Sequence, residues 1–215
     1  MKDIAIFGAG GFGREVLALI KDINLITPIW NIVGFFDDGY EEGKVFNGFP
    51  NLGGIEQLNQ WKTPLSVAVA IGSPAIRRKI VEKIANPLVD YPSMIHPSAW
   101  IGDQEYVEIG KGCILCAGVM ITTNVRIRDF VILNLQCTVG HDAVIEDYAA
   151  LMPSVNVSGE VTIGPGVYVG TGAQISNQVS IGEDTVVGAG AVVVKNLPAN
   201  CMAVGVPARP YKKVY

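Results

Sequence analysis

The sequence predicts two units in tandem: an α/β domain over residues 1–90 and a parallel β-helix of hexapeptide repeats over residues 91–194, with a short tail at 195–215. Two observations carry this division. Near the N-terminus a hydrophobic strand runs directly into a glycine-rich turn and then a helical pattern. From residue 109 to residue 193, a large aliphatic side chain stands at every sixth position.

Lys2–Phe7 is the first strand. Gly8-Ala9-Gly10-Gly11-Phe12-Gly13 follows, and a helical run covers residues 14–22. This is GxGxxG in the strand–turn–helix context that gives the motif its meaning, so the domain is Rossmann-like. The glycines let the backbone approach a phosphate, and the new helix offers unpaired N–H groups and the positive end of its dipole. A second strand, 31–36, ends at Asp37-Asp38, where a carboxylate can accept hydrogen bonds from a ribose or another hydroxyl. A short helix falls within 51–60. A third strand, 66–71, runs into Gly72-Ser73-Pro74 and a helix over 75–85; Pro74 suits a first helical turn. Together these make one βαβαβ half. The motif by itself leaves NAD binding, sugar-nucleotide binding and a structural turn without phosphate all open. The small size weighs against NAD. Hydride transfer calls for a second substrate domain carrying an acid or base, and here a repeat fold follows.

The repeat runs from Ile109 through Leu115, Ile121 and Ile127 to Val193, and all fifteen members are Ile, Leu or Val. Two residues earlier the side chains are small, as in Cys113, Val119, Cys137, Ala143 and Ala149. Glycine often follows the aliphatic, as in Gly110, Gly140, Gly164 and Gly182. A period of six fits neither a helix face nor an alternating strand. It fits a triangular coil with one side per hexad and about 18 residues per turn. The aliphatics point inward and stack, the small residues fit the bends, and glycine is expected to permit the corner backbone. Residues 109–193 then make about five coils, none of which buries its own apolar side, so the stack is the folding unit. Ile95 and Ile101 extend the pattern upstream. The longer step from Ile101 to Ile109 predicts a small loop near residues 103–105.

The chain of 215 residues is 49% hydrophobic with a net charge of −4. It holds no uncharged apolar run of the roughly 18–20 residues that a membrane span needs. No basic leader precedes an apolar stretch, which argues against a signal peptide and for the cytoplasm. Lys and Arg do not cluster with aromatics, which weighs against nucleic acid as a partner. Residues 101–194 hold 3 basic and 10 acidic side chains, whereas the last 21 residues hold 4 basic and none acidic. Those four, Lys195, Arg209, Lys212 and Lys213, either meet a phosphorylated ligand or are solvated. Cys113 and Cys116 have metal-like spacing, but no second CxxC completes a zinc set. With Cys137 and Cys201 they read as buried thiols, and no metal is expected.

Of the two histidines, His96 sits at the junction between the units and reads as structural or as a cap on the first coil. His141 lies two residues past the inward Val139 and so leaves the core near a corner, with Asp142 next to it. A histidine base and a carboxylate that orients it form a general-base pair. Adjacent side chains on a flat strand diverge, so the pairing requires a bend there; Glu146 or a neighbouring subunit could hold the ring instead. The repeat stacks Gly159 one coil above His141, where its N–H could face a reacting carbonyl. It sets Asn134 one side back along the coil.

Gly8–Gly13, Phe35-Phe36-Asp37-Asp38, Ala70-Ile71-Gly72, Asn134, Val139-Gly140-His141-Asp142 and Val204-Gly205-Val206-Pro207-Ala208 together resemble the hexapeptide-repeat sugar O- and N-acyltransferases. The resemblance is to the sialic acid O-acetyltransferase and bacillosamine-pathway N-acetyltransferase type, and it covers nearly the whole chain. It implies a left-handed parallel β-helix, against the usual right-handed crossover. It also implies a cytoplasmic homotrimer with active sites between subunits. Acetyl-CoA is then the co-substrate and, in many members, a nucleotide-linked amino sugar destined for surface glycan is the acceptor. By resemblance His141 is the general base, Asp142 raises its basicity, and Gly159 is a backbone donor to the acetyl carbonyl. Thr171 and Ala189 fall where backbone groups contact coenzyme A in the next subunit. Asn134 lies beside the acceptor sugar, and Gly10, Gly11 and Phe12 with Asp37 and Asp38 hold its nucleotide. Phe12 replaces a histidine common in that loop. Bacillosamine-pathway members carry a second histidine nine residues past the base, where this chain has Ala150. The alternatives are O-acetylation of a free sugar and a non-catalytic nucleotide-sugar-binding scaffold. The related carbonic anhydrase needs three histidines at a subunit boundary; the single one in this repeat body weighs strongly against it.

Overall fold

A computed structural model describes residues 1–213, and for Lys212 and Lys213 the backbone alone. β1 (Lys2–Phe7) is followed by α1 (Gly11–Ile26) and β2 (Trp30–Phe36). β3 (Val45–Phe46) and β4 (Phe49–Pro50) form a small antiparallel pair. After α2 (Ile55–Asn59) come β5 (Leu65–Val69), α3 (Pro74–Lys83) and β6 (Val89–Asp90). The sheet order is β2-β1-β5-β6, all parallel. Strand order reverses between β1 and β5, which opens a crevice beyond their C-terminal ends. α1 is longer than the sequence pattern suggests. It begins inside the glycine motif, and its apolar stripe of Val16, Leu17 and Ile20 continues to Ile23. Gly13 is where the motif is sterically obligatory, because a Cβ there would overlap the carbonyl oxygen of Gly8.

From Met94–Ile95 the chain winds as a left-handed parallel β-helix. Its first face stacks strands from Met94–Ile95 up to Cys201–Val204. The second face has six strands, Trp100–Ile101 to Val192–Val193, and the third has five, Val107–Ile109 to Ser180–Ile181. Stacked partners such as Leu115↔Leu133 and Val139↔Val157 lie one 18-residue turn apart. There are about six turns rather than five. Met94–Ile95 and Trp100–Ile101 open a coil before the regular series, and Cys201–Val204 closes one after it. The inward aliphatics from Leu115 to Val193 are buried in one continuous cluster. The insertion between Ile101 and Ile109 is a turn, as the longer step required.

The role expected of the repeat glycines needs correction. The left-handed backbone falls three residues after the aliphatic, and mostly on non-glycine residues such as Asn124, Gln136, Asp142 and Ser154. Glycine directly after the aliphatic serves a different purpose: coils approach too closely there for a side chain. A Cβ on Gly164 would lie 2.8 Å from the Ile181 carbonyl oxygen. The tail is also more ordered than a loose extension. Cys201–Val204 continues the first face and Arg209–Lys213 turns back on it antiparallel. Lys195 and Arg209 are exposed, and the side chains of Lys212 and Lys213 lie outside the described residues.

The α/β domain docks on the first face. The residue before each inward aliphatic points outward, and on this face Met94, Ile114, Ile132 and Ala150 join one apolar cluster with Val16, Leu17 and Ile20 of α1. The same position on the other faces carries Thr138, Asn156 and Gln174, or Arg126, Thr162 and Ser180. Arg77 of α3, fully buried, donates to the carbonyls of Ile71 and Gly72 on its own side and of Phe130, Tyr148 and Ala149 on the solenoid. No helix among the described residues is long and apolar enough to cross a membrane.

Candidate active site

The vertex opposite the docked face, between the second and third faces, carries His141. Gly140 begins the corner, and a Cβ on it would lie 2.7 Å from the Gly159 nitrogen, so only glycine lets the two coils close here. Asp142 has a φ of 59°, a left-handed turn that swings its carboxylate back to the ring it follows. The result is a 2.8 Å contact between His141 Nδ1 and Asp142 Oδ2. This is the bend the adjacent pair required, and Asp142 rather than Glu146 holds the ring. The corner is pinned from both sides: Asp142 N–H donates to Thr123 O at 3.2 Å, and Glu160 N–H donates to His141 O at 2.8 Å. An ionised carboxylate only accepts, so Nδ1 carries the proton and Nε2 presents its lone pair. The ring is 57% exposed, which leaves that lone pair reachable.

Gly159 lies directly against the imidazole, and a Cβ on it would sit 2.5 Å from Nε2. Its own N–H takes no part in the coil-to-coil ladder among the described residues. Gly159→Ala must therefore displace the ring. With His141 as the general base that the resemblance implies, misplacement by about 1 Å can cost about 10²-fold in rate, and the variant is expected to lose acetyl-transfer turnover by that order with its circular dichroism intact. Wild-type turnover would separate the ring position from the reaction.

Asn134, Thr171 and Ala189 all fall on another vertex, between the first and second faces. Asn134 is nearly buried and its Oδ1 accepts the Leu135 N–H at 2.7 Å. Thr171 and Ala189 are exposed one coil apart, and a Cβ on Gly170 would lie 2.5 Å from the Ala189 nitrogen. Within one chain the second face separates these residues from His141. On that face a groove of about 320 Å³ is lined by Trp100, Met120, Thr138, Gly140, Asn156 and Ser158, among others.

In the α/β domain, Gly10 caps α1 without a side-chain cap bond, and a Cβ on Gly10 or Gly11 would meet nothing within 4 Å. Phe12, half-buried, packs in the first-face cluster that also holds Ala150, Met152 and Tyr168. Ala150 is thus on a different face from His141 and is fully buried under the docked domain. Asp37 accepts the N–H groups of Ala9 and Gly39, both at 2.8 Å, and so fastens the glycine loop. Asp38 turns away to accept the Ile55 N–H at 2.9 Å, capping α2. His96 is a link: Nε2 lies 3.1 Å from Asp22 Oδ2 on α1, and Nδ1 accepts the Ser98 N–H at 3.0 Å. Burial pushes the Cys116 thiol up to about 12 and those of Cys113 and Cys137 to about 11. All three stay protonated at neutral pH, unsuited to nucleophilic attack.

Residues 3–84 match the PglD N-terminal domain, and residues 160–195 match the bacterial transferase hexapeptide (six repeats). The chain is 33% identical over 168 residues to a GDP-perosamine N-acetyltransferase of Escherichia coli O157:H7, covering 78% of this chain and 75% of that one. Among solved structures it is similar to PerB from Caulobacter crescentus in complex with CoA and GDP-perosamine, with a TM-score of 0.87, 30% identity and 98% of each chain covered. It is also similar to the acetyltransferase domain of PglB from Neisseria gonorrhoeae FA1090 in complex with acetyl coenzyme A. There the TM-score is 0.88 and the identity 33%, over 98% of this chain and 99% of that one. A PglD-type α/β domain, the hexapeptide coil behind it and near-complete coverage by such relatives make this chain a member of the hexapeptide-repeat sugar acyltransferase family.

Proposed function

We propose that the protein transfers an acetyl group from acetyl-CoA to the amino group of a nucleotide-linked amino sugar in surface-glycan biosynthesis, with His141 as general base. The observation that carries this reading is the His141–Asp142 pair at 2.8 Å with Gly159 packed against the free Nε2. Nε2 takes the proton as the amino nitrogen attacks the thioester carbonyl and the C–N bond forms. The oxyanion that develops is stabilised by backbone N–H groups, Gly159 first. Collapse breaks the C–S bond, and the departing thiolate takes the proton back from His141. No acyl-enzyme is needed, because holding both substrates supplies the proximity, and the buried thiols offer no alternative nucleophile.

The split of the expected site residues over two vertices supports a homotrimer. Asn134, Thr171 and Ala189 of one subunit then meet His141 and Gly159 of the next across a shared groove. The relatives' names and their complexes with CoA and GDP-perosamine support a nucleotide-activated amino sugar as acceptor. Acetyl-CoA supply and reduced buried cysteines suit the cytoplasm. The test is thiol release from acetyl-CoA against a panel of UDP-, GDP- and dTDP-linked amino sugars, with free sialic acid as the O-acceptor arm. Release with an amino sugar supports the reading; release with sialic acid alone makes the protein an O-acetyltransferase. No release with any acceptor leaves the non-catalytic scaffold.

A further inference from the structure

The loop after β2 leaves the sheet at Asp37 and returns to its edge at Asn51. There Asn51 bridges Phe35 in parallel, and the Leu52 N–H donates to Phe35 O at 2.7 Å. The β3–β4 pair lies inside the loop, and its Phe46 packs in the cluster that holds Ala9 and the apolar stripe of α1. Asn51 is only 1% exposed, and a buried amide must find partners. The loop itself supplies them. Asn51 Nδ2 donates to the carbonyls of Tyr40 at 2.9 Å, Asp37 at 3.2 Å and Glu41 at 3.3 Å. The Asn51 N–H donates to Lys44 O at 2.7 Å, and the Gly43 N–H donates to Asn51 O at 2.8 Å. One residue thus gathers polar groups from both arms of the loop. Its Oδ1 is buried with no partner among the described residues. Leaving that acceptor unpaired is a cost, so the amide is present for its donors.

What those donors hold is Asp37, whose carboxylate reaches out of the loop. Oδ2 accepts the Ala9 N–H of the glycine-rich turn at 2.8 Å, and Oδ1 accepts the Gly39 N–H at 2.8 Å. The Gly8 N–H donates to Phe36 O and the Asp37 N–H to Gly53 O, both at 2.8 Å. A short relay therefore runs from the Asn51 amide to the Asp37 carbonyl, and from the Asp37 carboxylate to the turn. Without the amide, three carbonyls lose a donor together and the loop must open to water to replace it. Asp37 moves with the loop, and the turn loses its brace.

We propose that Asn51 is a positioning residue for the nucleotide part of the acceptor, acting on the glycine-rich turn through Asp37 without touching the ligand. The proposal rests on the acetyl-transfer reading, in which that turn holds the nucleotide. GDP, UDP and dTDP, and separately acetyl-CoA, are titrated calorimetrically into wild-type, N51A, N51D, D37N and N51A/D37N proteins. N51A removes both donors, and N51D removes them while keeping the volume of the side chain. Each Asn51 variant is expected to bind nucleotide about 10-fold more weakly, and acetyl-CoA as wild type does. Because Asn51 acts through Asp37, the double variant binds nucleotide as D37N alone does, within about twofold. A side chain that merely stabilised the fold would lower the melting temperature and leave the affinity of the folded protein unmoved. Wild-type nucleotide affinity in either Asn51 variant overturns the proposal, and so do losses that multiply in the double variant. If N51A does not fold, N51D, alone and with D37N, carries the comparison. Failure of both to fold also overturns it, since Asn51 then supports the domain rather than the site. Failure of the functional reading looks different: wild-type protein then binds none of the three nucleotides and releases no thiol with any nucleotide-linked amino sugar.

Discussion

Replacing His141, the proposed general base, by alanine is expected to lower the turnover of acetyl transfer by about 10²- to 10⁴-fold, the range that a positioned general base contributes. The fold is expected to be unaffected. The ring is mostly solvent-facing, its one side-chain hydrogen-bond partner among the described residues is Asp142, and the coil is held at that corner by backbone bonds on both sides. Under the proposed function, what disappears is the lone pair that would accept the amine proton. Circular dichroism and thermal melting check the fold, and thiol release measured at saturating acetyl-CoA checks the rate. Acetyl transfer near the wild-type rate by a folded H141A protein would end the general-base role.

The second large effect is on stability. Replacing Arg77 by methionine is expected to cost about 3–5 kcal/mol, because buried carbonyls lose their donors at once and each orphaned acceptor costs about 1–3 kcal/mol. Arg77 heads the largest fully buried side chains, and its five hydrogen bonds span the junction. Burial pushes the guanidinium down to about 9, still above neutral, so it remains a cation with every donor available. The carbonyls it reaches on the solenoid belong to a strained place. Phe130 and Tyr148 adopt φ of 56° and 59°, with their rings stacked at 5.2 Å. Bulky residues in that conformation persist only when their surroundings over-determine them, and Arg77 is part of that determination. Urea unfolding followed by the fluorescence of Trp30 and Trp61, both in the α/β domain, reports the loss as a lower midpoint. Arg77→Lys keeps the charge with fewer donors and falls between. A methionine variant within about 0.5 kcal/mol of wild type, the range of an ordinary surface change, would show that the junction holds without this side chain.

The coil was legible because its signal is redundant: one aliphatic per side, repeated fifteen times, can only stack inward. The glycine-rich loop was legible because strand, turn and helix follow in order. The His141–Asp142 pair was legible as a requirement, since two neighbours could meet only if the chain bent between them, and the φ of 59° at Asp142 supplies that bend. The function expected of the repeat glycines was misassigned, because a six-residue period does not say which corner atom lies against the next coil. Arg77 drew no notice, since charged residues on a short helix ordinarily face water. A readable signal did exist for the docked face. The outward positions Met94, Ile114, Ile132, Ala150, Tyr168 and Val186 are the ones that stay apolar or aromatic from coil to coil.

By itself, then, the sequence determined the two architectures, the inward residues of the coil and the stacking of Gly159 on His141, because each follows from local order or strict periodicity. The tertiary structure decided which face the α/β domain covers, and hence that His141 lies on the vertex opposite it. It also decided that Asp37 and Asp38 are engaged by the backbone of their own domain, and that Arg77 is an anchor. These depend on which side chains meet across residues distant in the chain. Burial, shape and charge balance at the contact set those meetings, and no local pattern encodes them.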